Sequence, residues 1–196
     1  SADIKAYTTQ VTGFEAITLA TNTTLTMSKA TANLVNAATS PTVTGIASGS
    51  NESIKVTLAD SDNETLDISS ITFTADSNAI ILGGDEEDVI TTSGGNDYID
   101  GEAKADVLTG KAGNDTYVIG EVTTVNKHVE TSGGGTDTIV MDVDTGDFTT
   151  QKYGATATDA AAGSMANFEQ IVLGNSVNAT LLATNLSGNT IKIAPT

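Results

Sequence analysis

Asp88, Asp97, Asp106 and Asp115 stand nine residues apart, and two positions after each comes a large apolar or aromatic residue: Ile90, Ile99, Leu108 and Tyr117. Counted from Gly83, the segment divides into GGDEEDVIT, TSGGNDYID, GEAKADVLT and GKAGNDTYV. Asp holds position 6 and the large residue holds position 8 of all four units. Glycine at positions 1, 2 or 4 permits turns with positive φ that carry backbone carbonyls inward. The residues after each Asp then form a strand of about three residues whose middle side chain enters a core. If each unit is half a turn of a spiral, turns n and n+2 lie roughly 4.8 Å apart, the spacing of hydrogen-bonded strands. Aspartates stacked so closely repel one another. A hard cation resolves the repulsion: calcium takes roughly six to eight oxygens at about 2.3–2.6 Å from carboxylates and backbone carbonyls.

The elements that would hold these turns follow from the period. Nine residues are too few for a helix–turn–helix repeat and fit a coil made of a tight turn and a short strand. A degenerate unit, TADSNAIIL from Thr74, has Ala79 at position 6 and keeps Ile81 at position 8. It continues the coil without a charged ligand there, with Asp76 or Asn78 as the nearby oxygen donors. Residues 1–72 are rich in Thr, Ala, Ser, Asn and Val, and alternate around Phe14–Leu19, Ile54–Leu58 and Ile71–Phe73, the pattern of half-buried strands. MSKATANLVNAA, from Met27, reads as a short helix with Met27, Ala30 and Leu34 on one face. Residues 119–140 break the nine-residue period. GFEAITL at 13–19 and NFEQIVL at 167–173 match at four positions, so the same strand unit flanks the repeats on both sides. The expected fold is all-β, a parallel β-roll or β-helix solenoid: a β-rich flank at 1–73, the calcium-binding roll at 74–140, and a β-rich cap or continuation at 141–196.

The four units resemble the RTX repeat, G-G-x-G-x-D-x-U-x, of calcium-binding parallel β-rolls. GKAGNDTYVIGEVTTVNKHVETSGGGTDTIV resembles the longer form of that repeat, in which an insert ends in Val-Glu before a Gly-rich turn and Asp-Thr-Ile. The resemblance covers about residues 74–140. It implies several Ca²⁺ ions held by Asp88, Asp97, Asp106, Asp115, Glu130 and Asp137, with the turn glycines Gly83, Gly95, Gly101 and Gly113. Position 4 is Gly95 and Gly113 in two units but Glu86 and Lys104 in the others, which share an edge. The firmest site is therefore expected between the Asp97 and Asp115 turns, because Lys104 would oppose a cation near Asp88 and Asp106.

Composition narrows the functional classes. The net charge is −17, and all eight basic residues are Lys. Phosphate contacts need clustered cations, which argues against nucleic acid as a partner. There is no Cys, hence no disulfide or thiolate site, and no apolar run of about 18 residues that would read as a transmembrane segment. The opening SADIKAYTTQ lacks a charged-then-apolar leader and reads as a cut within a longer chain. His128, the one histidine, is expected in a loop rather than as a base, and no HExxH or nucleophile elbow is present. Asp60 and Asp62 lack the Gly and Glu of an EF-hand and read as a surface turn, while Asp142, Asp144 and Asp147 are a lesser ion candidate.

The Thr/Ala/Ser/Asn/Val background and the GFEAITL-type strands resemble RTX-bearing bacterial S-layer proteins and large adhesins. That resemblance implies a non-enzymatic segment of a secreted protein on the bacterial cell surface, exported by a type I apparatus. Its partners would be neighbouring copies in a lattice, or a cell-surface glycan. The alternatives are the noncatalytic RTX domain of a secreted protease or lipase, and an adhesin module that binds glycan or ice. The Thr residues lack the regular array that ice binding would need.

Overall fold

A computed structural model of the chain describes residues 2–3, 16–37, 42–45, 52–74, 77–121, 124–130, 134–143, 145–154, 161–162, 167–174, 177–181 and 190–193. The fold is all-β with stacked parallel strands, as the repeat implied. A nine-stranded sheet runs, in spatial order, through Ala2–Asp3, Thr24–Met27, Ser53–Thr57, Asn78–Gly84, Tyr98–Glu102, Thr116–Ile119, Thr138–Met141, Gln170–Leu173 and Thr190–Ile193. A six-stranded sheet runs through Thr65–Asp67, Val89–Thr91, Val107–Lys111, Lys127–Glu130, Lys152–Gly154 and Ala161–Ala162. Its last pairing is antiparallel. Successive nonapeptides alternate between the two sheets, so each is half a coil. Tyr98 pairs with Ile80 on one side and Thr116 on the other, and Val107 pairs with Val89.

Position 8 builds the core. In the nine-stranded sheet Met27, Val56, Ile81, Ile99, Tyr117, Ile139 and Ile171 form one column of register partners, all buried. In the other sheet the column is Leu66, Ile90, Leu108, His128 and Tyr153, each with no exposed surface. Burying one such aliphatic side chain stabilises by about 1.5–3 kcal/mol.

The coil then widens: the stacked partners are 18 residues apart through the nonapeptides, then 22 and 32 in the nine-stranded sheet and 20 and 25 in the other. A wider coil needs bulkier filling. It receives a ring cluster in which Tyr117 meets His128 and Phe168 edge-on, and His128 stacks on Tyr153 with centroids 5.3 Å apart. His128 is thus not a loop residue. It sits on a strand at a core position, and burial lowers its pKa to about 3, leaving the ring neutral.

The period is therefore stretched beyond residue 118 rather than broken. The helix forms at Lys29–Asn36, with Ser28 capping it by accepting from the Thr31 N–H. Among its described side chains Thr31, Ala32 and Val35 are buried, whereas Ala30, expected on the inner face, is exposed; the Leu34 side chain lies outside the described residues. Lys29 on its first turn pairs with Glu64 at 2.9 Å. The two matching strand units are not equivalent: Ala16–Leu19 belongs to a separate three-stranded sheet with Thr42–Gly45 and Thr72–Thr74, whereas Gln170–Leu173 belongs to the main sheet.

Candidate metal centre

The position-6 side chains fall on two opposite edges of the roll, and each edge carries a continuous ladder. On one, the Asp97 backbone N–H donates to Asp115 Oδ1 at 2.8 Å, Asp115 N–H to Asp137 Oδ1 at 2.8 Å, and Asp137 N–H to Glu169 Oε2 at 2.8 Å. The ladder begins at Ala79, whose N–H donates to Asp97 Oδ1 at 2.7 Å. On the other, Glu64 N–H donates to Asp88 Oδ1, Asp88 N–H to Asp106 Oδ1, Asp106 N–H to Asn126 Oδ1 and Asn126 N–H to Gln151 Oε1, all at 2.9–3.0 Å. The strand ladder begins one residue later, so this N–H would otherwise be an orphan donor. A side-chain oxygen from the following coil satisfies it.

Asn126, Gln151 and Glu169 were not singled out from the sequence. The signal was available: Asn126–His128, Gln151–Tyr153 and Glu169–Ile171 repeat the spacing of a polar position 6 and a large position 8.

The aspartates are buried: Asp106 and Asp115 have no exposed surface, Asp88 and Asp97 have 1%. Burial is the main cause that raises all four carboxyl pKa values, Asp97 to about 6 and Asp106 to about 8. Asp115 goes well above the carboxylate range through burial and through the nearby Asp97, Glu130 and Asp137 charges. Asp137 is raised by burial as well. These are groups whose ionised form the protein alone does not stabilise.

Their second oxygens differ. Asp88 Oδ2 accepts from Gly84 N–H at 3.0 Å and Asp97 Oδ2 from Ser93 N–H at 3.2 Å, while Asp106 Oδ2 and Asp115 Oδ2 are buried with no hydrogen-bond partner.

The turn glycines bring carbonyls close to their neighbours. A Cβ on Gly83 would meet the Gly101 carbonyl oxygen at 2.3 Å, and one on Gly101 would meet Asp106 Oδ2 at 2.3 Å. A Cβ on Gly95 would lie 3.2 Å from the Ser77 carbonyl oxygen. Gly113 is the tightest: it has φ of +129°, and a Cβ would meet the Gly95 carbonyl oxygen at 2.1 Å. At the matching position on the other edge Lys104 is exposed, with φ of +73°. Its carbonyl accepts from the Thr124 hydroxyl at 2.5 Å.

Buried carboxylates, orphaned oxygens and carbonyl-lined turns are all hard oxygen donors, the set that fits calcium.

Beyond the nonapeptides, Asp115, Glu130 and Asp137 come together, each with an oxygen within 4.8 Å of the others. Asp60 and Asp62 lie in an exposed turn. Asp142 is exposed, Asp147 caps a short 3₁₀ turn by accepting from Thr149 N–H, and Asp144 and Asp76 lie outside the described residues. No helix among the described residues is long and apolar enough to cross a membrane.

Comparison with curated proteins and with solved structures returned no match. The family model of the RTX calcium-binding nonapeptide repeat matches residues 82–117, in four copies. Residues 82–117 of this chain are RTX repeats, and such repeats bind calcium ions in their turns.

Proposed function

We propose that the chain is a calcium-folded structural segment of a secreted bacterial cell-surface protein of the S-layer kind, with no catalytic role, assembling with neighbouring copies of itself. The observation that carries this reading is the pair of buried position-6 ladders, in which carboxylates stack coil upon coil. Asp88, Asp97, Asp106 and Asp115 are the residues we assign to the ions, with carbonyl oxygens from the turns that contain Gly83, Gly95, Gly101 and Gly113. Glu130 and Asp137 extend the set. When bound, calcium supplies the positive charge that a chain of net charge −17 lacks along these edges. The chain's own residues do the rest: they fix the carboxylates by N–H donation, exclude water by burial, and hold the turns in register through the position-8 core.

A ligand that binds only the folded state adds RT ln(1 + [L]/Kd), about 2.7 kcal/mol per site at a hundredfold excess. Extracellular calcium modules bind at about 10⁻⁴–10⁻³ M, so several sites acting together make folding follow the external calcium level. Circular dichroism and calorimetry with and without calcium test this, on the native chain and on the Asp97→Ala/Asp115→Ala double variant. Calcium should drive cooperative folding of the native chain, and the double variant should need far more of it. Folding that ignores calcium would sink the reading. Ordered assembly on adding calcium, followed by light scattering and electron microscopy, separates the S-layer role from that of a secreted enzyme's accessory domain.

A further inference from the structure

We infer that the outer groove of the six-stranded sheet is a self-association surface, on which a second copy of the chain docks antiparallel about a two-fold axis through Val107. The inference rests on the reading that the chain assembles with copies of itself, and it names the face and the register.

The groove runs along the roll beside the Asp88 edge and measures about 400 Å³. Residues on either side of position 6 line it in three successive coils: Glu87 and Val89, Ala105 and Val107, Val125 and Lys127. Between each pair the position-6 residue is buried, while its two neighbours reach solvent.

Two features mark this face. The first is apolar. Val89 is 43% and Val125 38% exposed, and they are two of the three large apolar side chains exposed among the described residues. Singly such valines would mean nothing, but these two share one groove with Val107 and Ala105. The second is the order of charge. Val107 pairs with Val89 on one side and with Lys127 on the other, so Glu87 lies one coil before Val107 and Lys127 one coil after. The only ion pair among the described residues joins Lys29 to Glu64, which leaves the charges of Glu87 and Lys127 for another molecule.

A two-fold axis lying in the interface, across the roll, reverses the direction of the second copy. With that axis through Val107, the coil before it in one copy lies level with the coil after it in the other. Glu87 of each copy is then level with Lys127 of the other, Val89 is level with Val125, and Val107 meets its own counterpart. This is the isologous pattern, in which residue i meets j and j meets i. Moving the axis one coil either way sets Glu87 level with its own copy, or Lys127 level with its own. Copies of net charge −17 repel one another, so contact is favoured only where opposite charges face each other. The groove is thus complementary to itself in one register. A strip three coils long, roughly 10 Å between its outer strands, makes a weak contact that gains strength when repeated in an assembly.

The chain has no Cys, so one introduced thiol reports on its own copy. In saturating calcium under mild oxidation, Val107→Cys should give a disulfide-linked dimer, because the axis brings the two thiols together. Thr65→Cys, two coils from the axis and exposed, sets the thiols about 19 Å apart along the roll and should stay monomeric. Sedimentation of the native chain in calcium should show a dimer that grows with concentration. Lys127→Glu and Glu87→Lys should each weaken it about tenfold or more, since each sets like charges level at both ends of the strip. The double variant carrying both exchanges should restore it. Circular dichroism in calcium checks that each variant folds, and the thiol comparison decides the matter where a charge variant does not. Equal cross-linking of Val107→Cys and Thr65→Cys overturns the proposal, as does association indifferent to the single reversals. In both cases assembly through another face stands. A native chain that folds in calcium and stays monomeric at every concentration overturns both.

Discussion

The two edges of the roll perform the same backbone task with different chemistry. On the Asp97 edge the acceptors run Asp97, Asp115, Asp137, Glu169, all carboxylates. On the Asp88 edge they run Asp88, Asp106, Asn126, Gln151, so the last two are neutral amides. An amide oxygen satisfies the N–H of the preceding coil as well as a carboxylate does and brings no charge into the buried turn. Charge is therefore not what the ladder needs. The same register position earlier on the Asp97 edge is Ala79 and, one coil before, Ile54, both fully buried. The buried charge that a cation would balance is thus confined to the coils with a carboxylate at position 6, and it extends further along one edge than the other.

The largest expected effect breaks the equivalence of the edges at position 4. Gly113→Ala places a Cβ against the Gly95 carbonyl at a φ that L residues rarely adopt, and should cost about 3 kcal/mol or more in calcium. Urea denaturation measures it. Next come the acceptors themselves. Asn126→Ala strands the Asp106 N–H and should cost about 1–3 kcal/mol, by the same amount with calcium or with chelator. Asp106→Ala strands the Asp88 N–H but also removes a buried acid, so its cost should be large in calcium and small in chelator. Equal behaviour of the two variants would erase the distinction between neutral and charged rungs.

The third prediction concerns pH. Without calcium, the folded-state values of Asp97, about 6, and Asp106, about 8, lie above the unfolded value of about 3.9. The folded state then holds more protons, so the stabilisation is complete below about pH 4 and is lost as pH rises through 6 and 8. The melting temperature in chelator should fall over that window. In calcium the direction reverses, because protons compete with the ion for the same oxygens. Calorimetry at several pH values decides between these slopes. The smallest effect is Lys104→Gly. It relieves a left-handed residue on the Asp88 edge and should stabilise by about 1 kcal/mol, with or without calcium.

How much of this was legible in the sequence depends on which physical demand each residue meets. The Asp-x-Ile pattern announced both the core and the turn, because position 8 must be large and position 6 was always the same residue. Stacking of alternate units then gave the register of Asp97 with Asp115. Past residue 118 the same demands persist in other residue types. His128 and Tyr153 fill the core position because the wider coil has more room, and Asn126 and Gln151 serve as acceptors because oxygen suffices. Inserts of varied length hid the spacing that would have aligned them. The meeting of Glu130 with Asp115 and Asp137 depends on how the stretched coil brings the two sheets together, which linear spacing does not encode. The matched GFEAITL and NFEQIVL units show the converse: similar strands, placed in different sheets.

Every rung of both ladders points one way. The N–H belongs to the earlier coil and the oxygen that caps it to the later one. The stack therefore has an order of completion in time. As the chain folds, each turn stays one step short of finished until the next coil's side chain arrives. Each coil acts as a lid for the one before it. Trimming residues from the carboxyl side uncovers a donor at each cut, whereas trimming from the amino side removes only the donor that a later side chain had been serving.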